Sequence, residues 1–150
     1  MLNKEDLKGI ENYDAFFALS RKLSVLPEAD IFNFLFPIAI SEREGGASGI
    51  AGKLLIDLEP KHTRSCSELV EEIARSNWFV SFKEVPFYLV SQFGKWTLAE
   101  EVRLYLKNPT ATEAYRRRAE SIWYWASQPS SKLSNDLHYF EWQEAIEGEE

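Results

Sequence analysis

Residues 65–113 read SCSELVEEIARSNWFVSFKEVPFYLVSQFGKWTLAEEVRLYLKNPTATE and contain the pattern Ser/Thr-x-x-Glu four times. In such a capping box the hydroxyl accepts from the backbone N–H of the fourth residue, and the Glu carboxylate accepts from the backbone N–H of the first. The starts are 16, 16 and 13 residues apart, which leaves room for one short helix and a tight turn at each step. The boxes are Ser65/Glu68, Ser81/Glu84, Thr97/Glu100 and Thr110/Glu113.

These boxes predict four consecutive helices with marked ends. Gly94 and the pair Asn108-Pro109 are typical of helix C-termini, because glycine accepts a positive φ and proline cannot continue a helix. Val80 and Val85 lie at the positions of a hydrophobic staple around the second box, whereas Pro86 removes one hydrogen bond from its first turn. The predicted helices cover about residues 66–76, 82–93, 98–107 and 111–127.

Upstream, capping residues and prolines predict two more helices. Asn12 can cap a helix that carries apolar side chains at helical spacing and ends near Lys22. Pro27 suits the first turn of the next helix, where its missing N–H costs nothing. Pro37 is expected to kink this second helix or to end it early.

A third upstream helix is predicted between the break at Gly45-Gly46 and Pro60, with Ser48 as its first residue. Gly49 and Gly52 lie three residues apart within it. Glycine lowers helix propensity by about 1 kcal/mol relative to alanine. We therefore expect these two small residues to mark a close contact with another helix.

The glycines of this segment superficially suggest a phosphate-binding loop. The Walker pattern needs glycine where Ala47 stands and Ser or Thr where Leu54 stands, so both the tight turn and the magnesium-binding hydroxyl are missing. The dinucleotide-binding pattern fails as well, because Ala47 also takes the place of its first glycine. We expect no nucleotide cofactor.

Together these signals predict an all-α chain that forms a single domain of about seven to eight short antiparallel helices. A length of 150 residues is that of one ordinary domain. A hydrophobic fraction of 45% and an aromatic fraction of 14% supply enough apolar surface for a core. A short alternating run at residues 78–82 is the single strand candidate. The predicted parts are N-terminal helices over 1–60, capped helical hairpins over 61–127, and a linker with an acidic aromatic tail over 128–150.

The net charge of −7 is concentrated near the end of the sequence. Residues 133–150 contain six acidic side chains and neither Lys nor Arg, whereas residues 1–132 contain 17 basic and 18 acidic side chains. This distribution argues against nucleic-acid binding, which depends on neutralising phosphates with Lys and Arg. It favours a basic protein partner, whose approach an acidic surface accelerates. The alternative is a solvated tail without a partner.

Cysteine content and hydropathy indicate a cytoplasmic protein. With Cys66 as its one cysteine the chain forms no internal disulfide, which fits a reducing compartment. The first residues are not those of a basic, then apolar, signal peptide. The longest apolar tract, residues 31–40, is far shorter than the roughly 20 residues that cross a bilayer. We expect no membrane association.

Cys66 is the one candidate for covalent catalysis. It is the first residue of a predicted helix and follows Arg64, so the helix dipole and the cation would favour a thiolate. His62 lies four residues upstream, yet it precedes the helix and no third group orients it. A small buried side chain that fills a helix start is the alternative, and we expect no catalytic residue.

No metal site is predicted. His62 and His138 are the two histidines, and the sequence contains neither Cys-x-x-Cys nor His-Glu-x-x-His. The basic cluster Arg116-Arg117-Arg118 reads as a helix face with weak ion pairs, because Glu113 and Glu120 lie three and four residues away. The alternative is a phosphate-binding patch.

Aromatic residues give the strongest binding signal. Trp123, Tyr124 and Trp125 are consecutive, so one helix cannot bury all three on a single face. The tail contains Tyr139, Phe140 and Trp142 among its acidic residues. Exposed Trp and Tyr side chains rimmed by charge are typical of protein interfaces. The alternative is that the tail folds back and its rings complete the core against Trp123 or Trp125.

From Lys53 to Thr112, the boxed starts, the motif Val85-Pro-Phe-Tyr88 and the Phe93-Gly94 stop resemble the paired helices of HEAT-like repeats. By size, charge and helical character the chain also resembles small bacterial immunity proteins, a class defined by role. That resemblance implies a non-catalytic protein that neutralises a basic toxin domain such as a nuclease. The alternatives are an adaptor subunit of a larger assembly and a thiol enzyme. The predicted partner-binding residues are Trp125, Asp136, Tyr139, Glu141, Trp142, Glu144 and Glu147.

Overall fold

The computed structural model describes residues 2–41 and 46–128, and this part of the chain is helical without a β-strand. A 3-10 helix, Lys4–Leu7, precedes six α-helices. The predicted tail helix lies outside the described residues. An isolated bridge pairs Ser41 with Asn77, and the strand candidate at residues 78–82 is not a strand. The helices are α1 Tyr13–Ser24, α2 Glu28–Ala39, α3 Gly46–Leu58, α4 Cys66–Arg75, α5 Glu84–Leu106 and α6 Glu113–Ala126.

The all-α prediction is confirmed, but the described ranges contain six α-helices and not seven to eight. Two predicted helices form one element, α5, with a break at Gly94. Gly94 has φ 84° and ψ 157°, a conformation that glycine adopts easily, so the predicted stop is present as an interruption. The chain resumes its helix directly after Gly94 without a turn, which removes one separate helix from the count.

The helices near the N-terminus follow most of the sequence signals. The Asn12 side chain accepts from the Ala15 N–H at 2.9 Å and caps α1 as predicted. α2 continues through the exposed Pro37 and ends two residues later. α3 begins before Ser48, whose hydroxyl donates to the Ala39 carbonyl at 3.0 Å. Ser48 is therefore a buried tie between α3 and the end of α2, and its prediction as a helix start is wrong.

The first of the four predicted capping boxes is formed. Ser65 Oγ accepts from the Glu68 N–H at 3.1 Å, and Glu68 Oε1 accepts from the Ser65 N–H at 3.3 Å. The threonines that begin the third and fourth predicted boxes do not cap a helix. Thr97 lies inside α5. Thr110 donates its N–H and hydroxyl to Asn108 Oδ1, and Thr112 caps α6 in its place, accepting from Tyr115.

At the second predicted box, α5 begins at Glu84 without a side-chain cap. The Glu84 carboxylate forms a buried ion pair with Lys53 of α3, with 2.6 Å between Nζ and Oε1. An alanine Cβ at Gly52 would lie 2.8 Å from the Glu84 Cβ, so the predicted close helix contact is confirmed at Gly52. At Gly49 it is not, because open space surrounds that position.

One hydrophobic core joins the helices. α3 packs against α1, α2 and α5, and α6 packs against α4 and α5. Phe32, Leu54 and Tyr88 are among its fully buried side chains, and the Tyr88 hydroxyl donates to the Pro60 carbonyl. None of the helices described is long and apolar enough to cross a bilayer.

Candidate functional site

The C-terminal end of α6 presents aromatic side chains to solvent. Tyr124 is 58% exposed, and its ring meets the Trp125 ring edge to face at a centroid distance of 5.1 Å. Trp123 and Trp125 are half-buried and pack against the core. The prediction that the three consecutive aromatics cannot all be buried is confirmed.

Trp125 is the one predicted partner-binding residue that the structure describes. Its indole Nε1–H donates to the Val80 carbonyl at 2.7 Å, so this ring ties α6 to the segment before α5. The other six lie at or beyond residue 136, outside the described ranges. They are Asp136, Tyr139, Glu141, Trp142, Glu144 and Glu147.

Sequence reasoning missed Trp96, which is 80% exposed. Lys95 next to it donates from Nζ to the Gln128 carbonyl at 3.2 Å, and Gln128 donates to the Tyr124 carbonyl at 2.8 Å. The Lys95 side chain, next to the Gly94 break, therefore contacts the end of α6; Trp96 follows Lys95 in the chain, and Tyr124 is the acceptor for Gln128. We call Trp96, Tyr124 and Trp125 the aromatic end. The sequence does contain a signal for this exposure, because Trp96 lies two residues after the predicted helix break at Gly94. A break changes the direction of the neighbouring side chains, so they no longer follow the apolar face of the helix.

The basic cluster on α6 has mostly structural roles. Arg116 donates to the backbone carbonyls of Ala111 and Asn108, at 3.3 and 3.1 Å. Arg118 donates to the Ala74 carbonyl at 3.1 Å and so joins α6 to α4. Arg117 between them is exposed. Two of the three guanidinium groups therefore hold the helix in place, which weakens the interpretation of the cluster as a phosphate-binding patch.

Arg117 and Arg118 line an open cleft of about 610 Å³ between the first turns of α6 and the loop before α5. Phe79 in its wall is 43% exposed. Trp78 is 2% exposed, and its Nε1 has no hydrogen-bond partner among the described residues. Within residues 2–41 and 46–128, Glu113 is the acidic residue that lines the cleft.

Cys66 is buried at the start of α4. Burial, with a smaller contribution from the Glu101 carboxylate, raises the pKa of its thiol to about 12. The helix dipole and the neighbouring cations are thus outweighed by desolvation. This environment works against an activated thiolate and agrees with a small side chain that fills a helix start.

His62 is held in an aromatic cluster and not against Cys66. Its ring stacks on Phe32 at a centroid distance of 4.4 Å and meets Phe93 edge to face at 5.6 Å. Nδ1 accepts from the Arg64 N–H at 3.1 Å, and Nε2 is buried without a hydrogen-bond partner in the described part of the chain. Because Nδ1 is an acceptor, the neutral ring carries its proton on Nε2. Burial, followed by the Arg64 charge, lowers the pKa of His62.

Acidification through the His62 titration is expected to destabilise the protein. The folded pKa lies below the unfolded value of about 6.5, so the unfolded chain binds more protons as pH falls through and below that value. Stability is therefore fully present above about pH 6.5 and declines towards the folded pKa. Urea unfolding at pH 7.5 and 5.5 should show a smaller loss for His62→Asn, which cannot titrate, than for the wild type. His138→Asn is the matched control and should retain the wild-type loss, and an unchanged loss in His62→Asn would contradict the assignment.

Within residues 2–41 and 46–128, no group of three or more His, Cys, Asp or Glu side chains is placed to hold a metal ion. The polar residues nearest the aromatic end donate to backbone carbonyls.

Comparison with known proteins finds no matching family model, no similar curated protein and no similar solved structure. The resemblance to HEAT-like repeats and to immunity proteins therefore rests on the residues and the general character of the chain alone.

Proposed function

We propose that this protein is a non-catalytic binding module that masks a basic partner protein, as an immunity protein masks a nuclease toxin domain. The observation that carries the proposal is the 80% exposure of Trp96 at the aromatic end. Burying an aromatic side chain contributes about 1.5–3 kcal/mol, so a tryptophan left in water is a source of binding energy that folding does not use. Trp and Tyr are also the residues most enriched at interface hot spots.

Charge supplies the second part of the proposal. The aromatic end includes Tyr124, twelve residues before Asp136, which begins the set of Asp136, Glu141, Glu144 and Glu147. Acidic groups around aromatic anchors accelerate the approach of a basic surface and contribute less to the final affinity. We therefore assign anchoring to Trp96, Tyr124 and Trp125, and steering to the carboxylates.

A helical hairpin of α5 and α6 is the scaffold that we propose for this surface. Lys95 contacts Gln128 at one end, and Arg116 contacts Asn108 at the other. Contacts of this kind, between the start of one helix and the end of the next, favour an antiparallel pair of the type found in HEAT-like repeats. Such a pair would hold the aromatic end rigidly, which limits the entropy lost on binding.

The anchoring role is tested by capture of the partner from cells of the source organism with the tagged full-length protein. Trp96→Ala is expected to weaken binding of the captured protein about 30-fold, the effect of losing a hot spot worth about 2 kcal/mol. Val25→Ala is the matched control, because Val25 is 83% exposed and follows the last residue of α1, on a different helix from the aromatic end. It should change the Kd by less than about twofold. Equal effects of the two variants would contradict the anchor.

The steering role is tested with the same captured protein. Replacing Asp136, Glu141, Glu144 and Glu147 by serine should slow association and flatten its dependence on salt. The matched control replaces four exposed acidic residues near the other end of the chain, Asp6, Glu11, Asp14 and Asp30. Association that is independent of salt in the wild type would contradict a basic partner.

An adaptor subunit is the second candidate, and Leu104 favours it. This α5 side chain is 51% exposed, which leaves an apolar contact available for a larger assembly. Deletion of residues 133–150 distinguishes the two candidates. A masking protein of the proposed kind loses rapid association with its partner, whereas an adaptor that binds through helix faces retains it.

A further inference from the structure

We propose that the cleft beside Arg117 is the docking site for the chain's own acidic aromatic segment, residues 136–147. The cleft combines the exposed guanidinium of Arg117, the partly exposed ring of Phe79 and the buried Trp78. The segment combines carboxylates with Tyr139, Phe140 and Trp142. This inference concerns an intramolecular contact and is independent of whether the segment also binds a partner.

Charge complementarity is the first argument. Among the described residues, Arg117 and Arg118 line the cleft with the one carboxylate of Glu113, so the local charge of this part of the cleft is positive in a protein of net charge −7. The cleft also lies at the first turns of α6, where the helix dipole adds partial positive charge. Residues 136–147 contain Asp136, Glu141, Glu144 and Glu147 and no Lys or Arg. Guanidinium–carboxylate contacts are the strongest ones that these side chains can form.

The pairing within α6 leaves Arg117 available for such a contact. Arg116 and Arg118 are bound to backbone carbonyls. The Arg117 carbonyl accepts from the Ser121 hydroxyl at 2.9 Å, while the Arg117 guanidinium is exposed and, among the described residues, makes no hydrogen bond or ion pair with Glu113 one helical turn away. An exposed arginine beside aromatic rings is a typical binding site for a segment that contains both acidic and apolar side chains. The guanidinium binds the carboxylate, and the rings contact the apolar side chain.

The wall of the cleft is incomplete in the same region. Phe79 is 43% exposed at this wall. Removing apolar surface from water is favourable by about 25 cal/mol per Å². A segment that packs its rings against Phe79 would bury this exposed surface.

The chain between the end of α6 and residue 136 is long enough to reach the cleft. α6 rises about 1.5 Å per residue, so the nine residues from Arg117 to Ala126 span about 14 Å. An extended chain covers about 3.3 Å per residue, so the eight residues from Gln128 to Asp136 reach about 26 Å. A tether of this length holds the segment at an effective concentration on the order of millimolar, so weak contacts suffice. A basic partner would have to displace Arg117 from these carboxylates, so the two contacts exclude each other.

Paramagnetic broadening in the full-length protein tests the proposal. A nitroxide at Ala114→Cys, in a Cys66→Ala background, places the label on the rim of the cleft. We expect it to broaden the amide resonances of residues 136–147, and a label at Glu11→Cys to leave them sharp. The broadening should be lost in Arg117→Glu and at high salt, and it should persist in the matched control Arg21→Glu, an exposed site on α1.

Two outcomes would overturn the docking site. One is the absence of broadening from Ala114 in the wild type at low salt. The other is broadening that Arg117→Glu leaves unchanged. Far-UV circular dichroism and the thermal midpoint of each labelled variant establish that it is folded, and an unfolded variant is replaced by Arg117→Gln. Neither outcome affects the capture test of the proposed function, which measures a second protein.

Discussion

Replacing Glu84 by alanine is expected to lower the free energy of unfolding by about 3–5 kcal/mol, because it removes one partner of a buried ion pair. The Lys53 and Glu84 side chains are 9% and 8% exposed, and their charged atoms lie 2.6 Å apart. The substitution leaves the buried Lys53 ammonium without this carboxylate, in surroundings where water compensates poorly. Urea unfolding at neutral pH measures the loss.

Glu71→Ala is the matched control for this prediction. Glu71 pairs with Arg75 at 3.4 Å, and their side chains are 50% and 62% exposed. Exposed pairs contribute about 0–1 kcal/mol, so this change should be small. A loss in Glu84→Ala no larger than that in Glu71→Ala would mean that the buried pair does not stabilise the fold.

Removing both charges separates the cost of leaving the buried Lys53 ammonium without the Glu84 carboxylate from the net contribution of the pair. In Lys53→Met/Glu84→Leu the two apolar side chains occupy similar volume, and both charges of this pair are removed from the interface between α3 and α5. Such replacements are often neutral or stabilising by about 1–4 kcal/mol. We expect the double variant to be more stable than Glu84→Ala, and the opposite order would contradict the burial argument.

The same ion pair explains why the approximate location of the helices could be predicted better than the capping bonds at their first residues. Ser65 forms its capping box, because the Glu68 carboxylate is exposed and can bind the backbone at the start of its own helix. At the second box the Glu84 carboxylate is bound to Lys53, 31 residues earlier in the chain. The four-residue pattern shows that the Glu84 carboxylate could bind the backbone at the start of its own helix. In the fold it binds Lys53 instead, because the two side chains are brought together by the packing of α3 against α5. Neither the partner nor its burial could be predicted from a four-residue pattern.

The candidate site shows the same limit. The three consecutive aromatics had to be partly exposed, since residues on a helix point about 100° apart, and that follows from sequence alone. The run of three arginines did not reveal that Arg116 and Arg118 bind carbonyls of neighbouring segments. Trp96 was missed because its exposure depends on how the Gly94 break meets the end of α6, which is a tertiary contact.

Gly52→Ala is expected to destabilise the protein by about 1–3 kcal/mol, although alanine is the better helix former. The new Cβ would lie 2.8 Å from the Glu84 Cβ, an atom fixed by the backbone of α5, so the two helices must separate. Gly49→Ala in the same helix meets open space and should gain up to about 1 kcal/mol. Thermal and urea unfolding of both variants should therefore give changes of opposite sign.

The origin of the Gly52 effect is tested in the Lys53→Met/Glu84→Leu background. Leucine retains a Cβ at position 84 while the ion pair is gone, so a steric effect keeps its full size there. A penalty that arises from disturbing the ion pair disappears in this background, and that result would contradict the steric explanation. Because the contact involves Cβ atoms, glycine at position 52 is required by the approach of α3 to α5, whatever charge lies beside it.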